Sequence, residues 1–144
     1  SGGKLTEGLF KGETINTPSM LCVADYLDAL AWVDSIGGVP ATMARSEANL
    51  KVIADFVAAN DWISFLAKDA ATRSNTSVCL TLDVSADQVK QMVKLLETHG
   101  AAYDIGAYKD APAGIRIWCG ATVQAEDLQA LLPWLSWAYN EVKG

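Results

Sequence analysis

Apolar positions along this 144-residue chain follow two periods, and the change from one to the other divides it into elements. Residues 1–17 (SGGKLTEGLFKGETINT) follow neither period. Their four glycines and exposed charges read as an irregular lead-in that lies along a surface, such as that of another domain. From Pro18 the spacing becomes helical: Met20, Val23, Ala24, Leu27, Leu30 and Ala31 recur at three- and four-residue steps as far as Gly37-Gly38. Thr17 is a good N-cap residue, and Pro18 suits the first helical position. A second helix is expected from Pro40, with Met43, Leu50, Ile53, Ala54 and Val57 on one face and Asn60 near its end.

Past Asn60 the period shortens. Trp62–Leu66 is aromatic and β-branched and reads as a strand. Thr76–Leu82 alternates, Val78, Leu80 and Leu82 one way and Ser77, Cys79 and Thr81 the other, as a half-buried strand does. Ser85-Ala86-Asp87-Gln88 fits a capping box, with Val89, Met92, Val93 and Leu96 on the helical face behind it and Gly100 as its C′ residue. Ala101–Ile105 and Ile115–Cys119 are expected as strands. A last helix is expected from about Ala125 to Tyr139, with Leu128, Leu131, Leu132, Leu135, Ala138 and Tyr139 inward and Pro133 kinking or splitting it. The order helix, helix, strand, strand, helix, strand, strand, helix implies an α+β fold: a two-layer sandwich whose mostly antiparallel sheet has helices packed on one face. Residues 18–144 are expected to form one domain behind the 1–17 lead-in.

Composition narrows the partners. Apolar residues make up 51% of the chain, enough for a core, and the net charge of −6 argues against nucleic acid or an anionic membrane. No apolar run is long enough for a bilayer helix, and no signal peptide opens the chain. Cys22, Cys79 and Cys119 are widely spaced without a CxxC pair and read as reduced, buried thiols of a cytoplasmic protein. His99 is the single histidine. It sits at a helix end, where a cation complements the dipole, so it reads as structural.

Two places could hold an anion. Asn16 and Thr17, ahead of a helix N-terminus, combine polar side chains with free backbone N–H groups; alternatively they only cap the helix. Arg116 lies mid-strand between Ile115 and Ile117, so alternation turns it and Trp118 to the face opposite the isoleucines. A guanidinium fork beside an indole suits bidentate recognition of a carboxylate or phosphate; alternatively Arg116 is a solvent-facing strand cation. Arg73 and Lys109, both in loops, are weaker candidates of the same kind. No carboxylate pair, activated nucleophile, P-loop or metal-ligand cluster can be assembled, so neither a catalytic residue nor a metal ligand is assigned.

Gly12-Glu-Thr-Ile-Asn-Thr-Pro-Ser-Met20 and Asp104-Ile-Gly-Ala-Tyr-Lys-Asp-Ala-Pro-Ala-Gly-Ile-Arg-Ile-Trp-Cys-Gly-Ala-Thr122 closely resemble the C-terminal part of the phosphoserine aminotransferase family, and the likeness runs through essentially the whole chain. It looks most like the bacterial branch with a Tyr-basic-Asp-Ala-Pro loop. The resemblance implies the small domain of a fold-type-I pyridoxal-phosphate enzyme of serine biosynthesis, with pyridoxine biosynthesis as a related role. Its partners would be its own N-terminal large domain, the second subunit of a homodimer and a small phosphorylated amino or keto acid. It further implies that Asn16 and Thr17 reach the cofactor phosphate of the neighbouring subunit and that Arg116 grips the substrate carboxylate. Where better-known members carry a His-Arg pair for the substrate phosphate, this chain has Tyr108-Lys109-Asp110, with Lys109 as a replacement point charge. The Schiff-base lysine motif has no match; neither Lys4 nor Lys11 is assigned to it. The chain alone is therefore expected to be inactive. From the residues alone, a stand-alone anion-binding or dimerisation module is the alternative.

Overall fold

The computed structural model describes residue 3 and residues 5–144. The chain divides into two compact units, one ending at Val39 and the other running from Pro40 to Gly144.

In the first unit, the lead-in is not wholly irregular. Glu7–Lys11 form a short 3-10 helix closed by Gly12 in the left-handed conformation (φ 79°). Helix α1 spans Met20–Ser35 and begins later than expected. Its N-cap is Ser19, not Thr17: the Ser19 hydroxyl accepts from the Cys22 backbone N–H at 3.4 Å. Proline's fixed φ suits extended backbone as well as a first helical turn, so Pro18 stays outside the helix and hands the cap to the next hydroxyl. No residue of α1 is buried; Met20, Leu27 and Leu30 of its periodic apolar stripe are all exposed.

The second unit carries the core. Helix α2 spans Gly38–Ala58, with Ser46, Asn49 and Ile53 buried, whereas Met43, placed on the same apolar face as Ile53, is exposed. Strands β1 (Ile63–Phe65), β2 (Ser77–Leu82) and β3 (Gly114–Trp118) form an antiparallel sheet in that order. Helices α3 (Ala86–Thr98) and α4 (Ala125–Lys143) pack on one another. The Ser85–Gln88 capping box is formed in both directions, and Gly100 follows the helix at φ 68° as a C′ residue. Helix α4 continues unsplit through Pro133. Its apolar face, with Leu128, Leu135 and Ala138 buried, supplies the packing that holds the turn together where proline removes a hydrogen bond. Ile53, Val78, Leu80, Met92, Leu96, Ile115 and Ile117 meet in the core between the helices and one face of the sheet. The fold is α+β, as the residue pattern implies.

One expected strand is missing. Residues 101–105 hold bends at Ala101, Tyr103 and Asp104 and no strand, with Asp104 in the left-handed region (φ 50°), and Gly106 makes a single bridge, to Ile115. A residue at positive φ cannot continue a pleated strand. No helix among the described residues is long and apolar enough to cross a membrane.

Candidate functional site

The site grows from the alternation of β3. Ile115 and Ile117 are buried, Arg116 is partly buried and Trp118 is exposed, so the arginine and the tryptophan stand on the face away from the core. Register places Cys79 opposite Arg116 and Ser77 opposite Trp118, and directly paired residues share a face. The open face of the sheet is thus polar and aromatic around one guanidinium.

The loop after β3 is fixed from α2. Asn49, 2% exposed, donates through Nδ2 to the carbonyls of Cys119, Gly120 and Val123 at 3.0–3.2 Å. Arg45 Nε donates to Ala121 O at 2.7 Å. Gly120 lies under the Trp118 indole; a Cβ there would come within 2.5 Å of the indole Cζ2. The absent side chain lets Trp118 fold flat over the loop and form a wall.

Arg116 is held on several sides. Its backbone N–H donates to Ile105 O at 2.8 Å, and Nη2 donates to the Asp104 carboxylate at 2.9 Å and to the Asp104 carbonyl at 3.2 Å. The guanidinium carbon lies 4.5 Å from the centre of the Tyr108 ring, a cation–π contact. The Tyr108 hydroxyl shares a 3.1 Å hydrogen bond with Ser77 Oγ. Hydrogen bonds from Ser77 and then Arg116 lower the Tyr108 pKa below its usual 10, and the Tyr108 hydrogen bond, then the Asp104 charge, raise that of Arg116. Arg116 is permanently cationic, with an aromatic ring as its support. These residues and Trp118 line an open pocket of about 580 Å³, closed on another side by Asp127, Leu128 and Leu131 of α4. Chemically, the pocket offers a seated fork to a small anion.

The other candidates fall elsewhere. Lys109 does not line this pocket; it borders a neighbouring groove with Lys90, Val89 and Pro112. Arg73 is occupied by its own loop: Nε donates to Ala67 O at 3.1 Å, Nη2 to Lys68 O at 3.4 Å, and the guanidinium covers Phe65. Asn16 and Thr17 belong to the first unit, both exposed, Asn16 in a bend and Thr17 in the irregular residues ahead of Ser19. Among the described residues, none hydrogen-bonds to either side chain, while the Asn16 carbonyl accepts from the Thr14 hydroxyl at 2.7 Å. His99 caps α3 and packs against Trp137 and Trp134. Of the three free thiols only Cys119 is buried; Cys22 is exposed and Cys79 intermediate, which corrects the expectation of three buried thiols. Cys22 is on the helix with no buried face, and Cys79 is on the open face of the sheet.

Asp104, Tyr108, Ser77 and Asn49 were not among the residues singled out from the sequence. Asp104 precedes and Tyr108 lies within the loop leading to the arginine strand, and only the folded path of that segment brings them onto the guanidinium. Asn49 sits one helical turn from Ile53, on the face marked as apolar, and such a polar residue on an inward stripe is a usable signal.

Comparison with known proteins agrees with the motifs. No protein-family model matches the chain. Over 142 residues, 99% of the chain, it is 54% identical to phosphoserine aminotransferase of Methanosarcina barkeri and 51% identical to that of Methanosarcina mazei. It spans 38% of the length of each, as a C-terminal portion. Both relatives are archaeal, so they lend no support to the bacterial branch expected from the loop. Among solved structures, phosphoserine aminotransferase from Bacillus circulans subsp. alkalophilus superposes with a TM-score of 0.81 at 19% identity, over 94% of this chain and 37% of that one. A phosphoserine aminotransferase studied for radiation damage of its Schiff base gives 0.80 over 92% and 36%. At such identity these structures speak for the fold alone.

Proposed function

We propose that this chain is the C-terminal small domain of a phosphoserine aminotransferase, with residues 1–17 leading in from a large domain and 18–144 forming the small one. The parent enzyme, a cytoplasmic homodimer, would transfer the amino group of glutamate to 3-phosphohydroxypyruvate, giving O-phosphoserine and 2-oxoglutarate. The observation that carries this reading is 54% identity over 142 residues, a span of 99% of the chain.

In this reading Arg116 binds the substrate α-carboxylate. Its position over Tyr108 and beside Trp118 restricts how the bound carboxylate can turn, which is an orientation effect on the reacting end of the substrate. Lys109 adds a point charge for the substrate phosphate. Pyridoxal phosphate, when bound, supplies the electron sink for the exchange. The exposed Asn16 amide and Thr17 hydroxyl, without partners among the described residues, fit a contact to the phosphate of that group in the neighbouring subunit. They stand just ahead of an N-terminus whose dipole favours an anion.

The test joins this chain to the remaining part of the Methanosarcina mazei enzyme in place of its own C-terminal portion. The hybrid should convert glutamate and 3-phosphohydroxypyruvate, and Arg116→Ala should lower its kcat/KM about a hundredfold. The chain alone, with pyridoxal phosphate and both substrates, should give no turnover. An inactive but folded hybrid, or an active isolated chain, would overturn the reading.

A further inference from the structure

We propose that Asp104 sets the affinity of the Arg116 site: its carboxylate occupies the guanidinium nitrogen that an incoming carboxylate needs, and a bound ligand displaces it. The proposal rests on the reading of Arg116 as a carboxylate fork.

A guanidinium offers two bidentate edges, Nε with Nη2 and Nη1 with Nη2. Nη2 belongs to both. In this chain both hydrogen bonds to Asp104, at 2.9 Å to Oδ2 and 3.2 Å to the backbone carbonyl, leave from Nη2. Nη2 carries two N–H groups, one on each edge, so the two bonds together engage both: a ligand carboxylate meets an Asp104 oxygen at either edge, and the edge held by Oδ2 is the one cleared when the side chain swings away. The two partners differ in what holds them. The Arg116 side chain is 23% exposed, backed by Tyr108, whereas the Asp104 side chain is 92% exposed. An exposed carboxylate paired with one nitrogen is weakly held and free to swing into water.

The arginine stays in place when it leaves. The Asp104 carbonyl remains at Nη2, and Ile105 O still accepts from the Arg116 backbone N–H. The left-handed backbone at Asp104 turns carbonyl and carboxylate toward the same nitrogen. Asparagine and glycine adopt this conformation readily, so Asp104→Asn and Asp104→Gly remove the charge without forcing the bend to change. Asp104 is thus an internal stand-in for a ligand carboxylate and raises the affinity a ligand must have to bind.

The test follows the Trp118 indole N–H and the Arg116 Nε–H by NMR in the whole chain, titrated with O-phospho-L-serine. O-Phosphoethanolamine, which keeps the phosphate and amine but lacks the carboxylate, is the control. Asp104→Asn and Asp104→Gly should each bind O-phospho-L-serine about two- to fivefold more tightly than the wild type, the range expected for loss of one exposed ion-pair competitor. Binding of O-phosphoethanolamine should not change. Equal or weaker binding of O-phospho-L-serine in Asp104→Asn overturns the proposal, as does equal tightening for both ligands, which would reflect only the change in net charge. Arg116→Ala separates the two levels. If it binds O-phospho-L-serine as the wild type does, or if neither wild type nor Asp104→Asn binds, the carboxylate fork itself falls. If Arg116→Ala alone loses binding and the Asp104 variants are silent, the fork stands and the role of Asp104 falls.

Discussion

Helices α1 and α3 both carry apolar residues at three- and four-residue steps, yet their fates differ. In α3, Val89, Met92 and Leu96 are buried, and Met92 and Leu96 are wholly removed from water. In α1 no residue is buried, and Leu27 is 60% exposed. The caps differ in the same direction: α3 has a reciprocal capping box, α1 a single hydroxyl at 3.4 Å. A periodic stripe identifies the face that favours burial. It does not supply the surface that buries it, and most of a helix's stability comes from that surface.

The sharpest way to break this comparison is to truncate the same side chain in both helices. Leu96→Ala should destabilise the chain by about 3 kcal/mol through lost transfer energy and a residual cavity. Leu27→Ala should stay within about 0.5 kcal/mol, as surface changes usually do. Urea unfolding followed by far-UV circular dichroism measures both, and comparable losses would mean that α1 is packed in solution.

A smaller effect is expected where polar rather than apolar burial fixes α2. Asn49→Ala leaves the carbonyls of Cys119, Gly120 and Val123 without their shared donor and should cost about 2 kcal/mol. Because that loop seats Trp118, the Trp118 indole N–H resonance should shift in the native-state NMR spectrum. The caps come next. Ser85→Ala should cost about 1 kcal/mol in the same urea experiment, and Ser19→Ala a few tenths. An equal cost for both would place α1 among the packed helices.

The thiols give the mildest perturbation. With an aromatic disulfide reagent at pH 8, Cys22 should react first, Cys79 more slowly, and Cys119 only on unfolding. Burial pushes the Cys119 thiol from its ordinary value of 9.0 up to about 11, so between these values the folded chain keeps a proton that the unfolded chain releases. The stability contributed by this group is complete below pH 9 and declines as pH rises through about 11, a loss that Cys119→Ala should remove. An unchanged slope above pH 9 in that variant would assign the decline to another group.

Much of the second unit was legible in its residues. Alternation from Ser77 to Leu82, the Ser85–Gln88 box and the stripe through Leu96 are local signals, and the structure keeps each of them. The opposite facing of Arg116 and Ile115 was legible for the same reason, since strand geometry fixes it within three residues. The strand expected at 101–105 was not, because the left-handed residue at Asp104 breaks the pleat, and the apolar residues around it carry no local sign of that turn. Thr17 as a cap failed because two hydroxyls flank Pro18 and only the backbone path selects between them.

The sequence by itself determined the α+β class, the four long helices, the alternation of β2 and β3 and, through two motifs, the family resemblance. Those properties depend on neighbours within a few residues, where propensity and period act directly. Tertiary structure alone decided what surrounds Arg116: Tyr108 beneath it, Asp104 on its Nη2, Trp118 flattened over Gly120 and the loop pinned from Asn49. These contacts join residues brought together only when the sheet and helices close on a common core, and no local pattern encodes that closure.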